Sequence, residues 1–158
     1  MNDILEIIKE LELKRDLLII EKEKNNMEIC KCEQLIRYYM NARRRLFSSI
    51  NSNRDSLQEC EIIIEIAELM PSFVSERIAS RIKDKALERI DMLRDEMNVL
   101  ESHNYDAKLQ TYNVQKKKEE LLAENKMIES EIDSIDDRIT QYLIVESPIK
   151  TRVKKRGK

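Results

Sequence analysis

The stretch Met70-Pro71-Ser72-Phe73 interrupts the sequence near its midpoint and divides it into two long segments of helical character. Pro71 disfavours helical geometry at the residue before it and lacks a backbone hydrogen-bond donor. Ser72 is a favourable capping residue for a helix that follows the turn. We therefore predict a turn at residues 70–73 between two helical arms, at about residues 3–69 and 73–145.

The first arm carries mostly apolar residues at alternating intervals of four and three, which is the spacing of a left-handed coiled coil. The register has no slip, so it favours one continuous helix. An alternative divides the arm near residues 48–56, because Ser56-Leu57-Gln58-Glu59 has the pattern of a capping box. The positions of this first seam are Ile4, Ile8, Leu11, Arg15, Leu18, Lys22, Asn25, Ile29, Cys32, Ile36, Tyr39, Arg43, Leu46, Ile50, Asn53, Leu57, Cys60, Ile64 and Ala67.

The second arm has the same spacing, with one additional four-residue step at Ile82-Ala86-Ile90. Such a stutter locally unwinds a supercoil. The positions of this second seam are Ala79, Ile82, Ala86, Ile90, Leu93, Met97, Leu100, Asn104, Ala107, Thr111, Val114, Lys118, Leu121, Asn125, Ile128, Ile132, Ile135, Ile139 and Tyr142.

Two arms of nearly equal length around one turn predict an antiparallel hairpin. If the chain folds at Pro71-Ser72, the numbers of facing residues add to roughly 145, and polar seam residues tend to meet one another. The pairs expected in this register are Lys22 with Asn125, Asn25 with Lys118 and Leu121, and Arg43 with Glu101 and Asn104.

The composition favours the same fold class. Of the 158 residues, 38% are charged and 4% are aromatic, with one Gly, two Pro and no Trp. Strands and tight turns need more Gly and more β-branched or aromatic residues than this, whereas charged helical sequences are typical of coiled coils. We predict an all-α fold, a long antiparallel two-helix coiled-coil hairpin over residues 1–147.

No secretory or membrane-spanning segment is visible in the sequence. The start, Met1-Asn2-Asp3, is not basic, and the densest apolar run, Leu17-Leu18-Ile19-Ile20, is far shorter than the ~20 residues of a membrane span. We therefore expect a cytoplasmic protein without a membrane span. The three cysteines lack metal-ligand spacing, so we expect reduced, packed thiols.

Residues 148–158 contain six basic side chains and no acidic one, which predicts a disordered basic tail. With a formal net charge of -2 for the whole chain, the hairpin itself then carries about -8 by subtraction. The tail either binds an acidic protein surface, nucleic acid or lipid head groups, or only increases solubility. Nucleic acid is disfavoured as the main ligand because the hairpin is acidic.

Catalytic, cofactor and metal sites are not expected. His103 is the single histidine, and Gly157 is the single glycine, so neither a catalytic triad nor a Gly-rich phosphate loop is available. A two-helix hairpin also lacks the concave site that shifts carboxylate pKa values. We expect no enzyme activity and no small-molecule substrate. The triplets Arg43-Arg44-Arg45 and Lys116-Lys117-Lys118 are interpreted as solvated, with at most one inward charge each and with neighbouring glutamate partners.

Apolar residues outside the seams form two clusters, which suggests a contact site at each end of the hairpin. The alternative is that the hairpin self-associates or folds back at a break. The cluster at the free ends contains Leu5, Ile7, Leu13, Leu17, Ile19, Ile20, Leu143, Ile144 and Val145, and the cluster at the turn contains Ile62, Ile63, Ile66, Leu69, Phe73, Val74 and Ile78. The partner-binding residues predicted from them are Leu5, Leu13, Leu17, Leu143 and Ile144 at the ends, with Phe73 and Val74 at the turn.

A chain of this length that begins Met1-Asn2-Asp3-Ile4-Leu5-Glu6-Ile7-Ile8-Lys9 and forms a charged helical hairpin resembles the central-stalk proteins of bacterial type III secretion, the FliJ-like and SctO-like coiled-coil family. The resemblance covers about residues 1–145. It implies a non-enzymatic connector whose paired ends sit in the central hole of a hexameric export ATPase, while the turn contacts the export gate. The alternatives are a secretion adaptor or chaperone-like helical hairpin and a structural coiled-coil scaffold.

Overall fold

The structure is a computed structural model that describes residues 2–70 and 75–146. It contains two helices, α1 at Asn2–Leu69 and α2 at Glu76–Glu146, and no strand among the described residues. The helices pack against each other as an all-α hairpin, which confirms the predicted fold class. Helix α1 passes through residues 48–56 without interruption, so the alternative with two shorter helices in the first arm is wrong.

Helix α2 begins later than about residue 73. Ser75 is its cap: the Ser75 carbonyl accepts hydrogen bonds from the backbone N–H groups of Ile78 and Ala79 at 3.1 and 3.2 Å. The Ser75 hydroxyl also accepts the N–H of Ile78 at 3.4 Å. Such a cap satisfies donors that have no partner in the first turn, and Glu76 adds a favourable negative charge there. Ser72, the predicted cap, lies outside the described residues, as do the rest of the predicted turn after Met70 and the basic tail at 148–158.

Every position of the first and second seams is buried or partly buried, so the heptad assignment is confirmed along both helices. The stutter of α2 does not expose the seam, because Ala79, Ala86 and Ile90 are all buried around it. The extra four-residue step therefore keeps the apolar residues on the face that contacts α1.

The chain divides into two compact units. The described residues of the terminal unit are 2–34 and 115–146, and those of the central unit are 35–70 and 75–114. The core of the terminal unit contains Ile8, Leu11, Ile135 and Ile139, with Ile4, Leu18 and Tyr142 packed against it. The core of the central unit contains Cys60, Ile90 and Leu93, with Leu57 and Ile64 packed against it. In the terminal unit, residues near the start of α1 meet residues near the end of α2. In the central unit, residues near the end of α1 meet residues near the start of α2, so the helices are antiparallel.

The register differs from the predicted one in the terminal unit. Asn25 donates to Asn125, so the numbers of this facing pair add to 150 rather than to roughly 145. Lys22 forms an ion pair with Glu129, whereas the hydrogen bonds of Asn125 are to Asn25 and Asn26.

The direction of the shift follows from helix geometry. Side chains lean toward the N-terminus of their own helix. Each side chain of a facing pair therefore reaches toward lower residue numbers of its own helix. In an antiparallel pair, two residues whose side-chain tips meet then have a larger sum of residue numbers than two residues whose Cα atoms are level. In the central unit, the predicted contact of Arg43 with Asn104 is confirmed, with 3.4 Å between Arg43 Nε and Asn104 Oδ1.

Candidate protein-interaction surfaces

The terminal unit joins the N-terminal part of α1 to the C-terminal part of α2 through an aliphatic core. Ile8, Leu11, Ile135 and Ile139 are buried in it. Burial of one such side chain stabilises the folded state by about 1.5–3 kcal/mol before cavity and entropy effects. This core therefore brings both groups of predicted end residues, from α1 and from α2, into one unit.

A polar layer lies in the two seams beyond that core. Asn125 is 6% exposed, and its amide is used on both sides. Its Oδ1 accepts a hydrogen bond from Asn25 Nδ2 at 3.0 Å, and its Nδ2 donates to Asn26 Oδ1 at 2.9 Å. Sliding of one helix along the other would leave the buried amide of Asn125 without these partners, which costs more than the bonds contribute. The layer therefore specifies the register.

Ion pairs flank the core of the terminal unit. Arg15 Nη1 lies 2.9 Å from Asp136 Oδ1, and Lys22 Nζ lies 2.8 Å from Glu129 Oε1. The hydrogen bond to Asp136 raises the pKa of the Arg15 guanidinium despite an opposing contribution from burial. All four side chains remain partly exposed, so solvent screening keeps these pairs weak, and their main effect is on alignment.

Glu28 accepts a hydrogen bond from Lys31 at 3.1 Å, one turn along α1. This bond and the Lys31 charge lower the pKa of the Glu28 carboxyl, and Lys117 on α2 lowers it further from 3.7 Å. Lys118 lies 3.4 Å from Glu33. The expectation that glutamates accompany the lysine triplet is therefore confirmed for Lys117 and Lys118, although their partners belong to the other helix.

The predicted partner-binding residues of the terminal unit are all exposed. Exposure ranges from 48% for Leu5 to 62% for Leu13 and Ile144, with Leu17 and Leu143 between them. None of them belongs to the core of the unit, so the hairpin itself does not bury them. Aliphatic side chains left in water on both helices of one unit are available to another molecule.

Four of the exposed residues repeat the spacing of a coiled-coil seam. Leu13, Leu17, Ile20 and Met27 follow one another on α1 at intervals of four, three and seven, on the face away from the first seam. We call these four residues the outer stripe. Met27 is not part of the cluster predicted from the sequence, although its position seven residues after Ile20 places it on the same face of the helix.

The central unit carries the described part of the predicted turn cluster. Its members Ile62, Ile63, Ile66, Leu69 and Ile78 are all exposed. Phe73 and Val74, the two predicted partner-binding residues of this cluster, lie outside the described residues.

The arginine triplet of the central unit differs from the expectation. Arg43 is half-buried, as expected for one inward charge, whereas Arg44 and Arg45 are exposed. Among the residues whose side chains the structure describes, none forms an ion pair with Arg43, Arg44 or Arg45. The expected glutamate partners of this triplet are therefore wrong. Helix α1 offers none nearby, because it has no acidic residue between Glu33 and Asp55, and no acidic residue of the described part of α2 pairs with these arginines.

Cysteine and histidine side chains do not form a cluster. Cys32 and Cys60 are buried free thiols, but Cys30 is exposed, so the expectation of packed thiols is wrong for Cys30. His103 is exposed beside the second seam. Within residues 2–70 and 75–146, no group of three His, Cys, Asp or Glu side chains is placed to hold a metal ion. In the same ranges, neither helix has a segment of sufficient length and apolar character to cross a membrane.

No family model, curated protein or solved structure matches this chain. The candidate surfaces are therefore identified by exposure, spacing and charge alone. They are the exposed aliphatic residues of the terminal unit, the turn cluster, and the arginine-bearing part of the central unit.

Proposed function

We propose that the chain is a non-enzymatic, cytoplasmic coiled-coil connector of a type III protein secretion apparatus, which links the hexameric export ATPase to the export gate. The observation that supports it most is the exposed aliphatic surface on both helices of the terminal unit, at Leu5, Leu13, Leu17, Leu143 and Ile144. The nature of the partners comes from the family resemblance of the sequence.

The size of a helix pair suits this role. One α-helix with side chains is about 10–12 Å wide, so two packed helices are about 20 Å across. A helix pair of that width with exposed aliphatic side chains is a suitable occupant for the central hole of a protein ring. Removal of its exposed aliphatic side chains from water would drive the association.

Such a connector supplies no catalytic group to the ATPase. It raises the rate of ATP hydrolysis only if it binds the assembled, active ring more tightly than separate subunits, because a ligand shifts an equilibrium by its differential affinity. In this proposal the ends of the helices hold the ring, and Phe73 and Val74 at the turn contact the export gate.

The test is stimulation of the cognate ATPase by the purified chain. We expect Leu13→Ser combined with Ile144→Ser to abolish the stimulation, because both side chains are exposed and belong to the proposed contact. The matched control, Leu122→Ser with Met127→Ser, removes two exposed apolar side chains of the same unit outside that contact and should keep it. Circular dichroism should be the same for both variants. A chain that neither binds nor stimulates any hexameric ATPase from its own source would contradict the proposal.

A structural scaffold is the second candidate, and the outer stripe favours it. Residues at intervals of three and four bury their side chains most effectively against another helix. In this case the chain should form a concentration-dependent dimer in sedimentation experiments, and Ile20→Ser with Met27→Ser should make it monomeric. A monomer at all concentrations would exclude the scaffold and leave the connector.

A further inference from the structure

The central unit contains a long acid-free segment of α1. Residues 35–54 include Arg37, Arg43, Arg44, Arg45 and Arg54 but no Asp, Glu or Lys. The whole chain has 31 acidic residues among 158, or about one in five, so a helical segment of this length without any is exceptional for this sequence. Its positive charge is therefore concentrated in one part of an acidic molecule.

A groove lies on this segment. Met40, Arg43, Arg44 and Phe47 line a space of about 240 Å³. These residues have the helical spacing i, i+3, i+4 and i+7, which places them on one face of α1. Met40 and Phe47 are 46% and 52% exposed, so a thioether and an aromatic ring border the guanidinium of Arg44 without being buried by the hairpin.

Arg44 has no carboxylate partner within its own helix. The residues three and four positions away are Met40, Asn41, Phe47 and Ser48. No ion pair to Arg44 is formed among the residues with described side chains. Arg43, by contrast, is directed toward α2 by its bond to Asn104. Arg44 is therefore the charged group of the groove that faces a potential partner.

We infer that this groove binds an acidic amphipathic helical segment of a partner protein. A guanidinium binds a carboxylate through two parallel hydrogen bonds, and the adjacent sulfur and ring bind an apolar side chain. Recognition of a helix by an apolar groove with a charged group at its edge is a recurrent mode of protein association.

The dimensions set the arrangement of the partner. Met40 and Phe47 are seven residues apart, or about 10 Å along the helix axis. One aliphatic or aromatic side chain of the partner fits between them. A carboxylate one helical turn away on the partner then reaches Arg44, so the partner needs an acidic and an apolar residue three or four positions apart.

Nucleic acid does not suit this groove. Phosphate binding to a duplex uses several basic side chains in a row, with about 6–10 contacts in a typical complex. Here a single exposed arginine lies between two apolar side chains. Elsewhere in this unit, Arg45 and Asp106 line one groove together, and the negative charge of Asp106 disfavours a phosphate backbone there.

The experiment is a selection of binding peptides from a phage-displayed library of random helical peptides on the full chain. The enriched peptides are then measured by fluorescence anisotropy, with a single-stranded thymidine oligonucleotide as the nucleic-acid probe. We expect acidic peptides with apolar residues at helical spacing. Arg44→Glu should weaken their binding by at least about tenfold, as loss of a charge-assisted pair implies. Arg44→Gln and Phe47→Ser should also weaken it.

Arg94→Glu is the matched control, because Arg94 is an exposed arginine of the same unit that has Asp91 three residues away. It makes the same change in net charge and should leave peptide binding within about twofold. Stimulation of the ATPase should persist in the Arg44→Glu variant, since the terminal unit is unchanged, so this inference and the connector proposal fail separately. Three results would overturn the inference: no enriched peptide or only neutral and basic ones, equal effects of Arg44→Glu and Arg94→Glu, or Arg44-dependent binding of the oligonucleotide in preference to the peptides.

Discussion

Leu93→Ala tests the most deeply buried point of the central unit. Leu93 is 1% exposed and packs with Cys60, Ile90, Leu57 and Ile64. A two-helix structure has only one layer of core, so each complete burial contributes a large share of its stability. The variant should therefore destabilise the central unit. The loss should come from packing alone, because alanine has the highest helix propensity of all residues.

The expected magnitude follows from the atoms removed. Leu→Ala deletes three buried carbon groups, at about 0.8 kcal/mol each, and leaves a cavity that adds to the loss. The helices are free to close partly around that cavity, so we expect a total of about 3 kcal/mol. Leu109→Ala is the control, because Leu109 is 45% exposed in the same unit and loses the same atoms. It should cost about 1 kcal/mol or less.

Urea unfolding followed by circular dichroism measures both variants. With a urea dependence of about 1–3 kcal/mol per M, a loss of about 3 kcal/mol lowers the midpoint by ~1–3 M for Leu93→Ala. The shift for Leu109→Ala should be much smaller. Equal shifts would show that Leu93 is not buried between the helices and that the second seam is assigned to the wrong face.

Two further predictions concern the terminal unit. In a background without the native cysteines, Asn25→Cys with Asn125→Cys should form a disulfide within one chain, because these side chains already meet; cross-links between chains alone would contradict the register. In a carboxyl NMR titration, the pKa of Glu28 should lie below the ordinary glutamate value and should rise toward that value in the Lys31→Gln variant. A titration midpoint that is the same in both proteins would contradict the pairing. Because this folded-state pKa is lowered, its small contribution to stability is present above the ordinary glutamate pKa of 4.5 and is lost as the pH falls through the lowered pKa.

The polar seam residues show which contacts between the helices can be predicted from one sequence. Asn25 and Asn125 are both predicted as seam positions that meet polar partners, and both do so. Their pairing with each other was not predicted, because the sequence gives the approximate fold point but not the axial offset of the side chains. A shift of a few residues exchanges one polar partner for another without changing the seam.

The arginine triplet shows a different limit. The absence of acidic residues between Glu33 and Asp55 is visible in the sequence, but partners on the other helix remain possible until the helices are placed. The lysine triplet has such partners, because Lys117 and Lys118 reach glutamates of α1. Only the folded arrangement separates a compensated basic run from one whose arginines remain open to a partner.

Heptad spacing is a local property of each helix, so the amino-acid order alone predicts the two helices, the faces that they bury and the all-α fold. Which seam residues meet, that Ser75 caps α2, and which apolar and basic side chains stay in water become known only from the folded chain. These properties depend on the axial offset and rotation of one helix against the other. That offset is fixed by the combined packing of many side chains and by the polar layer in which the buried Asn125 bonds to Asn25 and Asn26, because such a layer favours one alignment.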